Sequence, residues 1–262
     1  MTGGKHDLQK ARPAINEEMP EMMKTMNSAT AVGETRLREA ISRLQGADTW
    51  VFDLDDTLYS SETKFFSQID RRIGAFISNL MGLDPIEARK IQKSYFSRYG
   101  TTLKGLMDLH DVQPDDFLNY VHDVDLSQLT RDEALVSALK GLDGRKYVFT
   151  NSPLEYARQV LERLGIAEFM DGIFDVAASN YIPKPRQPAY DRLVSAFNLQ
   201  PAKTVYVEDM ARNLIPAAKM GMITVWLCTG EKWGAHEHDP EHVDFEIVDL
   251  PQWLAGVAEG RA

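Results

Sequence analysis

Trp50-Val51-Phe52-Asp53-Leu54-Asp55-Asp56-Thr57-Leu58-Tyr59 is the stretch on which the fold turns. An apolar run of strand-forming residues leads straight into three acids. Buried strands of parallel sheets read as short continuous apolar runs, and sites in such sheets form at the strands' carboxyl ends. Asp53 and Asp55 are two apart, so in extended backbone they share a face. Two like charges that close are unfavourable unless a cation lies between them or one is protonated. A hard divalent cation with oxygen ligands, Mg2+ above all, satisfies that demand. A lone Asp-x-Asp can equally be a turn that caps the next helix.

Working outward, five segments read as buried strands: Thr49–Asp53, Lys146–Thr150, Ile173–Val176, Thr204–Val207 and Ile223–Leu227. Helical patterns separate the last four. Ser152-Pro153-Leu154-Glu155 reads as a capping box with proline at the first helical position, and Gly165 as the stop of that helix. Pro188–Phe197 and Arg212–Met220 read as two more helices. Strands alternating with helices mean parallel α/β layering with right-handed crossovers. The stretch between Asp56 and Leu142 is too long for one crossover and carries apolar residues at helical spacing from Phe65 to Leu80. Asp84-Pro85-Ile86-Glu87 starts a further helix, Gly100 stops it, and shorter helices follow around Leu103–Met107 and Phe117–Val121. A small helical domain is therefore inserted after the first strand.

The later strand ends add chemistry. Thr150-Asn151-Ser152 precedes a helix start, where hydroxyl, amide and free N–H groups can cradle phosphate oxygens. Prolines on both sides of Lys184 stiffen the loop that presents it. Glu208-Asp209 ends the fourth predicted strand, with Asn213 one helical turn on. Each signal has a bland alternative: helix capping for Ser152 and Asp209, a solvated loop for Lys184.

Taken in order, Asp53-x-Asp55, Thr150-Asn151, Lys184 and Glu208-Asp209 resemble the four motifs of the haloacid dehalogenase-like hydrolase superfamily, over roughly residues 48–255. The resemblance implies a three-layer Rossmann-like parallel sheet core at 48–61 and 142–262 and an all-helical cap at 62–141; residues 1–47 lie outside it and read, from their polar, aperiodic composition, as a largely flexible N-terminal extension that ends in a short helix from Glu34 to Leu44. The resemblance also implies a Mg2+-dependent phosphatase that passes through an aspartyl-phosphate. Asp53 would be the nucleophile and a metal ligand. Asp55 would be the general acid and then base, with its carbonyl on the metal. Thr150 and Asn151 would hold the phosphoryl group. Lys184 would neutralise it and orient Asp53. Asp209 would be a metal ligand, and Glu208 a ligand or its supporting partner. Haloalkanoate dehalogenases of the superfamily lack the second acid, so Asp55 favours phosphate chemistry.

The Asp53–Tyr59 start, the Tyr99–Leu106 stretch, His242-Val243-Asp244 and Asp249-Leu250-Pro251 look like the pyrimidine 5′-nucleotidase subgroup, which implies hydrolysis of UMP or CMP. Arg71, Arg72, Tyr95, Tyr99, Thr101 and Lys104 are the candidates to touch a base or ribose, each with a cap-surface or packing alternative. His236 and His238 read as members of a solvated loop. Another phosphate ester (a sugar phosphate or phosphoglycolate), a phosphomutase, or a non-catalytic phosphate-binding protein are the rival readings.

Composition bounds these readings. Hydrophobic residues make up 44 % of the 262 residues, ample for a core, and the formal charge is −10. That charge disfavours nucleic-acid and anionic-membrane partners but not a small anionic metabolite, whose site a metal can make locally positive. A single cysteine, Cys228, and no apolar run of signal or membrane length lead to the expectation of a cytoplasmic enzyme.

Overall fold

The computed structural model describes residues 35–231 and 233–260. The expected flexible extension lies outside the described residues as far as residue 34. Residues 35–45 are helical (α1), and Ala40 and Leu44 of this helix are buried. The part of the expected extension that is described thus includes ordered helix.

Six strands form one sheet: β1 (Thr49–Phe52), β2 (Arg145–Phe149), β3 (Gly172–Phe174), β4 (Thr204–Glu208), β5 (Ile223–Leu227) and β6 (Phe245–Ile247). The order is β3-β2-β1-β4-β5-β6 and every pairing is parallel. The pleat sends alternate residues to opposite faces. Trp50, Phe52, Val205 and Val207 enter one apolar core, and Val51, Tyr206, Tyr147 and Phe149 the other. Both faces are covered, which is why these strands are apolar along their whole length. The first core is completed by α6 (Glu133–Gly141), α7 (Leu154–Leu164) and α10 (Leu250–Ala258), the second by α8 (Gln187–Phe197) and α9 (Ala211–Lys219). This is the expected three-layer Rossmann-like core. β6 was not foreseen. It is a three-residue edge strand, Phe-Glu-Ile, too short for periodicity to reveal.

The insertion consists of α2 (Phe66–Met81), α3 (Pro85–Tyr99), α4 (Thr102–His110) and α5 (Pro114–Val121), which pack on one another. α3 starts as expected, with Asp84 Oδ1 accepting from the Ile86 and Glu87 N–H groups at 2.8 and 3.1 Å. α6, counted with the cap in the sequence reading, packs instead against α10. We propose that the cap ends before α6, because Leu135 and Leu139 share the core that holds Leu250 and Leu254.

The start of α7 corrects the capping-box expectation. Pro153 is the cap residue itself, and the Leu154 N–H donates to Asp175 Oδ2 at 3.0 Å. The Ser152 hydroxyl is turned elsewhere. Gly165 ends the helix in a left-handed conformation, as its position predicted.

At Gly100 the cap backbone lies close against the core. Its φ is +90°, and a Cβ there would lie 3.1 Å from both the Lys184 carbonyl oxygen and Pro183 Cγ. Its own carbonyl accepts from Arg212 Nη2 at 3.0 Å. Gly82 has a similar left-handed backbone, φ +65°, but open space around it. Gly82→Ala should therefore cost about 1 kcal/mol from backbone alone, and Gly100→Ala about 2–3 kcal/mol, since steric contact adds to the strain. Urea unfolding of the two variants checks this difference.

Candidate active site

The crevice at the carboxyl end of β1 lies between its two neighbours, β2 and β4, where the chain reverses its direction of travel across the sheet. Asp53 leaves β1 with its N–H donating to the Val207 carbonyl at 2.9 Å. Its carboxylate meets Lys184, whose Nζ donates to Asp53 Oδ1 at 2.6 Å, Glu208 Oε2 at 2.7 Å and the Phe149 carbonyl at 2.9 Å. An ammonium has three N–H groups, and all are used. Lys184 is only 2 % exposed. Burial alone would lower its pKa, but the charges of Asp53 and Glu208 overrule that and the net shift is upward. The Lys184 N–H donates to Asn151 Oδ1 at 3.0 Å, so the second motif holds the loop of the third.

Oxygen atoms of Asp53, Glu208 and Asp209 lie within 4.8 Å of one another, all three residues buried. Burial, then the charge of Glu208, pushes Asp53 and Asp209 well above the ordinary carboxylate range. Burial would raise Glu208 as well, but the Lys184 charge and hydrogen bonds from Lys184 and Tyr206 hold it down. Three carboxylates against one ammonium leave negative charge in excess. Asn213 Oδ1, buried beside them, has no hydrogen-bond partner among the described residues. A surplus of buried oxygen donors with an unmet charge fits a hard divalent cation such as Mg2+. Glu208 Oε2 accepts from both Lys184 and Tyr206, and Oε1 from the Met210 N–H at 3.2 Å, so this residue anchors Lys184 whatever else it binds.

Asp55 departs from the sequence expectation. Its carboxylate does not share a cation gap with that of Asp53, because the extended backbone ends at Phe52 and residues 55–58 form a turn. Leu54 is fully buried, and Asp55 points to hydroxyls: Oδ2 accepts from Ser152 at 2.7 Å, and Oδ1 from Tyr59 and Tyr156 at 2.8 Å each. Thr150 is 1 % exposed, and its oxygen accepts from the Ser152 N–H at 3.0 Å, which shapes the turn, while Asn151 reaches the cavity.

A cavity of about 400 Å³ lies over these groups, between core and cap. Asp53, Asp55, Asn151, Lys184 and Asp209 line it, and so do Lys93, Phe96, Arg212 and Trp233. Arg212 is 3 % exposed and stacks on Phe96 at 4.2 Å, and its Nε has no hydrogen-bond partner among the described residues. Of the cap candidates read from sequence, Thr101 lines the cavity. The others are used elsewhere: Arg71 and Arg72 bond the Ser67 and Tyr120 carbonyls, Tyr95 bonds His110, Tyr99 packs edge-on against Tyr95, and Lys104 pairs with Asp108. Sequence reasoning missed Lys93 and Phe96, although both lie on the helix whose start it found. His238 is not solvated as expected, for its ring stacks on Trp226 at 4.4 Å.

The raised carboxylates make a pH prediction. Asp53 and Asp209 are shifted upward, and Asp56 is pushed up to about 7 by burial and the charges of Asp55 and Glu231. As pH rises above the ordinary carboxylate range, the folded state still holds protons that the unfolded chain has lost, so the metal-free protein loses stability. A cation replaces those protons, and its stabilising effect grows over the same interval. The rise in Tm caused by Mg2+ should be larger at about pH 8 than at about pH 6, read from melts with Mg2+ and with EDTA. An equal rise at both values would contradict the raised carboxylates.

Residues 47–221 match the family described as haloacid dehalogenase-like hydrolase. Phosphate metabolism protein 8 of Saccharomyces cerevisiae is 30 % identical over 189 residues, which are 65 % of this chain and 58 % of the yeast protein. The glyceraldehyde 3-phosphate phosphatase of Methanocaldococcus jannaschii is 29 % identical over 219 residues, 77 % of this chain and 93 % of that one. A hydrolase of the same family from Bacillus subtilis, solved with bound magnesium, has the same fold, with a TM-score of 0.52 at 14 % identity over 79 % of this chain and 96 % of its own. With its acids, its Thr-Asn turn, its lysine and its Glu-Asp pair on successive strand ends of one parallel sheet, the chain belongs to the haloacid dehalogenase-like hydrolases.

Proposed function

We propose that this protein is a phosphoric monoester hydrolase with Asp53 as nucleophile, acting on a pyrimidine nucleoside 5′-monophosphate. The observation that carries the chemistry is the pairing of two differently placed acids. Asp53 is buried at the strand end and held by Lys184 at 2.6 Å, while Asp55 faces hydroxyls on the other side of the turn. A carboxylate nucleophile divides hydrolysis into two steps. An Asp53 oxygen attacks phosphorus as the bond to the leaving oxygen breaks, and Asp55 delivers its proton to that oxygen. Asp55 then takes a proton from water, which attacks the phosphorus of the aspartyl-phosphate, releasing phosphate and restoring Asp53.

Lys184 keeps the Asp53 carboxylate in a fixed orientation and places positive charge beside the phosphoryl oxygens. Asn151 fixes the Lys184 loop and offers its amide N–H to the same oxygens. Asp53 and Asp209, with the Asp55 carbonyl, would hold a Mg2+ ion, which would add positive charge beside the phosphoryl group. Such positioning and electrostatics are the main sources of catalysis in phosphoryl transfer.

The substrate reading draws on the likeness to the pyrimidine 5′-nucleotidase subgroup. It is supported by a cavity of about 400 Å³ with Phe96 and Trp233 as aromatic walls and Arg212 and Lys93 as donors. A second reading, a triose or other small sugar phosphate, is favoured by the 29 % identity to an archaeal enzyme named for glyceraldehyde 3-phosphate.

Phosphate release from a panel of nucleoside monophosphates and sugar phosphates separates these readings. UMP and CMP should be preferred, EDTA should abolish release, and Asp53→Asn should lower it by roughly a thousandfold or more. Preference for a triose phosphate keeps the mechanism and discards the nucleotide. Activity surviving in Asp53→Asn would sink the covalent route.

A further inference from the structure

A cap histidine that the mechanism above leaves unused reaches two partners of Asp55, Ser152 and Tyr156. His122 follows α5, and it lines the cavity. Its Nδ1 lies 2.9 Å from the Leu118 carbonyl oxygen and its Nε2 lies 3.3 Å from Ser152 Oγ. A carbonyl only accepts, so Nδ1 carries the hydrogen, and in the neutral ring Nε2 is an acceptor. The His122 ring also packs on Tyr156, with centroids 4.7 Å apart.

Ser152 Oγ therefore stands between two acceptors, Asp55 Oδ2 at 2.7 Å and His122 Nε2 at 3.3 Å. A hydroxyl has one hydrogen, so it serves one of them at a time. Asp55 Oδ1 is already engaged by Tyr59 and Tyr156. With all three hydroxyls directed at it, the carboxylate is tied back from the leaving oxygen. Rotation of the Ser152 hydroxyl onto His122 frees Oδ2. His122 sits at the end of a cap helix, whereas Ser152, Tyr156 and Asp55 belong to the core, so the second acceptor is present only while the cap is seated.

We propose that His122 is a positioning residue through which the seated cap draws the Ser152 hydroxyl away from Asp55, releasing the acid–base oxygen for the leaving group. This rests on the reading of Asp55 as the general acid. It explains a feature of the site that catalysis alone does not require: a serine placed within reach of both a cap histidine and the catalytic acid. Proton delivery is thereby confined to the closed state.

The test is a leaving-group comparison. The first step alone is followed, as release of the leaving group in a single turnover with enzyme in excess, because Asp55 also serves the water step common to every ester; the substrates are p-nitrophenyl phosphate, whose leaving group needs little protonation, and the alkyl phosphate that the wild type hydrolyses fastest. Asp55→Asn serves as the control and should lose far more activity on the alkyl ester. His122→Phe keeps the ring that packs on Tyr156 but removes the acceptor. Its maximal single-turnover rate on the alkyl ester should fall at least about tenfold, with little loss on p-nitrophenyl phosphate and half-saturation within about twofold. In the double variant His122→Phe/Ser152→Ala the tie on Asp55 is gone, and single-turnover release from the alkyl ester should return to within about threefold of Ser152→Ala alone. A loss in His122→Phe that is equal for both substrates, or that persists in the double variant, overturns the proposal while leaving the role of Asp55 intact. An equal loss on both substrates in Asp55→Asn overturns the reading of Asp55 and the proposal with it.

Discussion

The Lys184 ammonium, buried between Asp53 and Glu208, is the interaction on which the rest of the site depends. Two charge-assisted hydrogen bonds of 2.6 and 2.7 Å and a third to the Phe149 carbonyl consume its donors. Burying such a group costs several kcal/mol, and only near-ideal pairing offsets that cost. The lysine thereby ties together the ends of β1, β2 and β4, three adjacent strands, from a loop that follows β3. It also settles the charge balance. One ammonium cannot neutralise Asp53, Glu208 and Asp209 together, and that deficit gives the site its demand for a divalent cation.

Around this pair the two acids of the first motif are driven apart by backbone geometry. Asp53 still hangs on the β4 backbone, whereas Asp55 lies in the turn beyond it and collects hydroxyl donors from Ser152, Tyr59 and Tyr156. A nucleophile has to be held by a cation, and a proton carrier has to sit among groups that can trade hydrogens. Under the proposed mechanism, the turn would deliver each carboxylate to the surroundings its task needs. The cap is seated over both through contacts that include Gly100 and Phe96 with Arg212 on one side and His122 with Ser152 on the other. The cavity between these seats is partly open to solvent, while Asp53, Lys184, Glu208 and Asp209 at its floor are buried, and burial strengthens the charge interactions among them.

Much of this was legible in the linear sequence. The strand segments, the helix starts at Asp84-Pro85, the stops at Gly100 and Gly165, and the order of motif residues on successive strand ends all follow from local propensity and from the rule that parallel strands deliver sites at their carboxyl ends. Those are short-range properties, decided within a few residues of chain. They determined the fold class, the inserted helical layer and the cluster of Asp53, Lys184, Glu208 and Asp209.

The tertiary structure alone decided where each side chain turns once the strand ends. Nothing local says that Ser152 serves Asp55 rather than capping α7, that α6 belongs to the core, or that Lys93 and Phe96 face the cavity while Tyr95 and Lys104 do not. Helix faces are chosen by what packs against them, and a polar side chain takes the partner that long-range folding brings within 3 Å or so. Periodicity fixes which residues share a face but leaves open which neighbour that face will meet. That choice, made by the docking of cap on core, is what turns a recognisable set of motifs into this particular site.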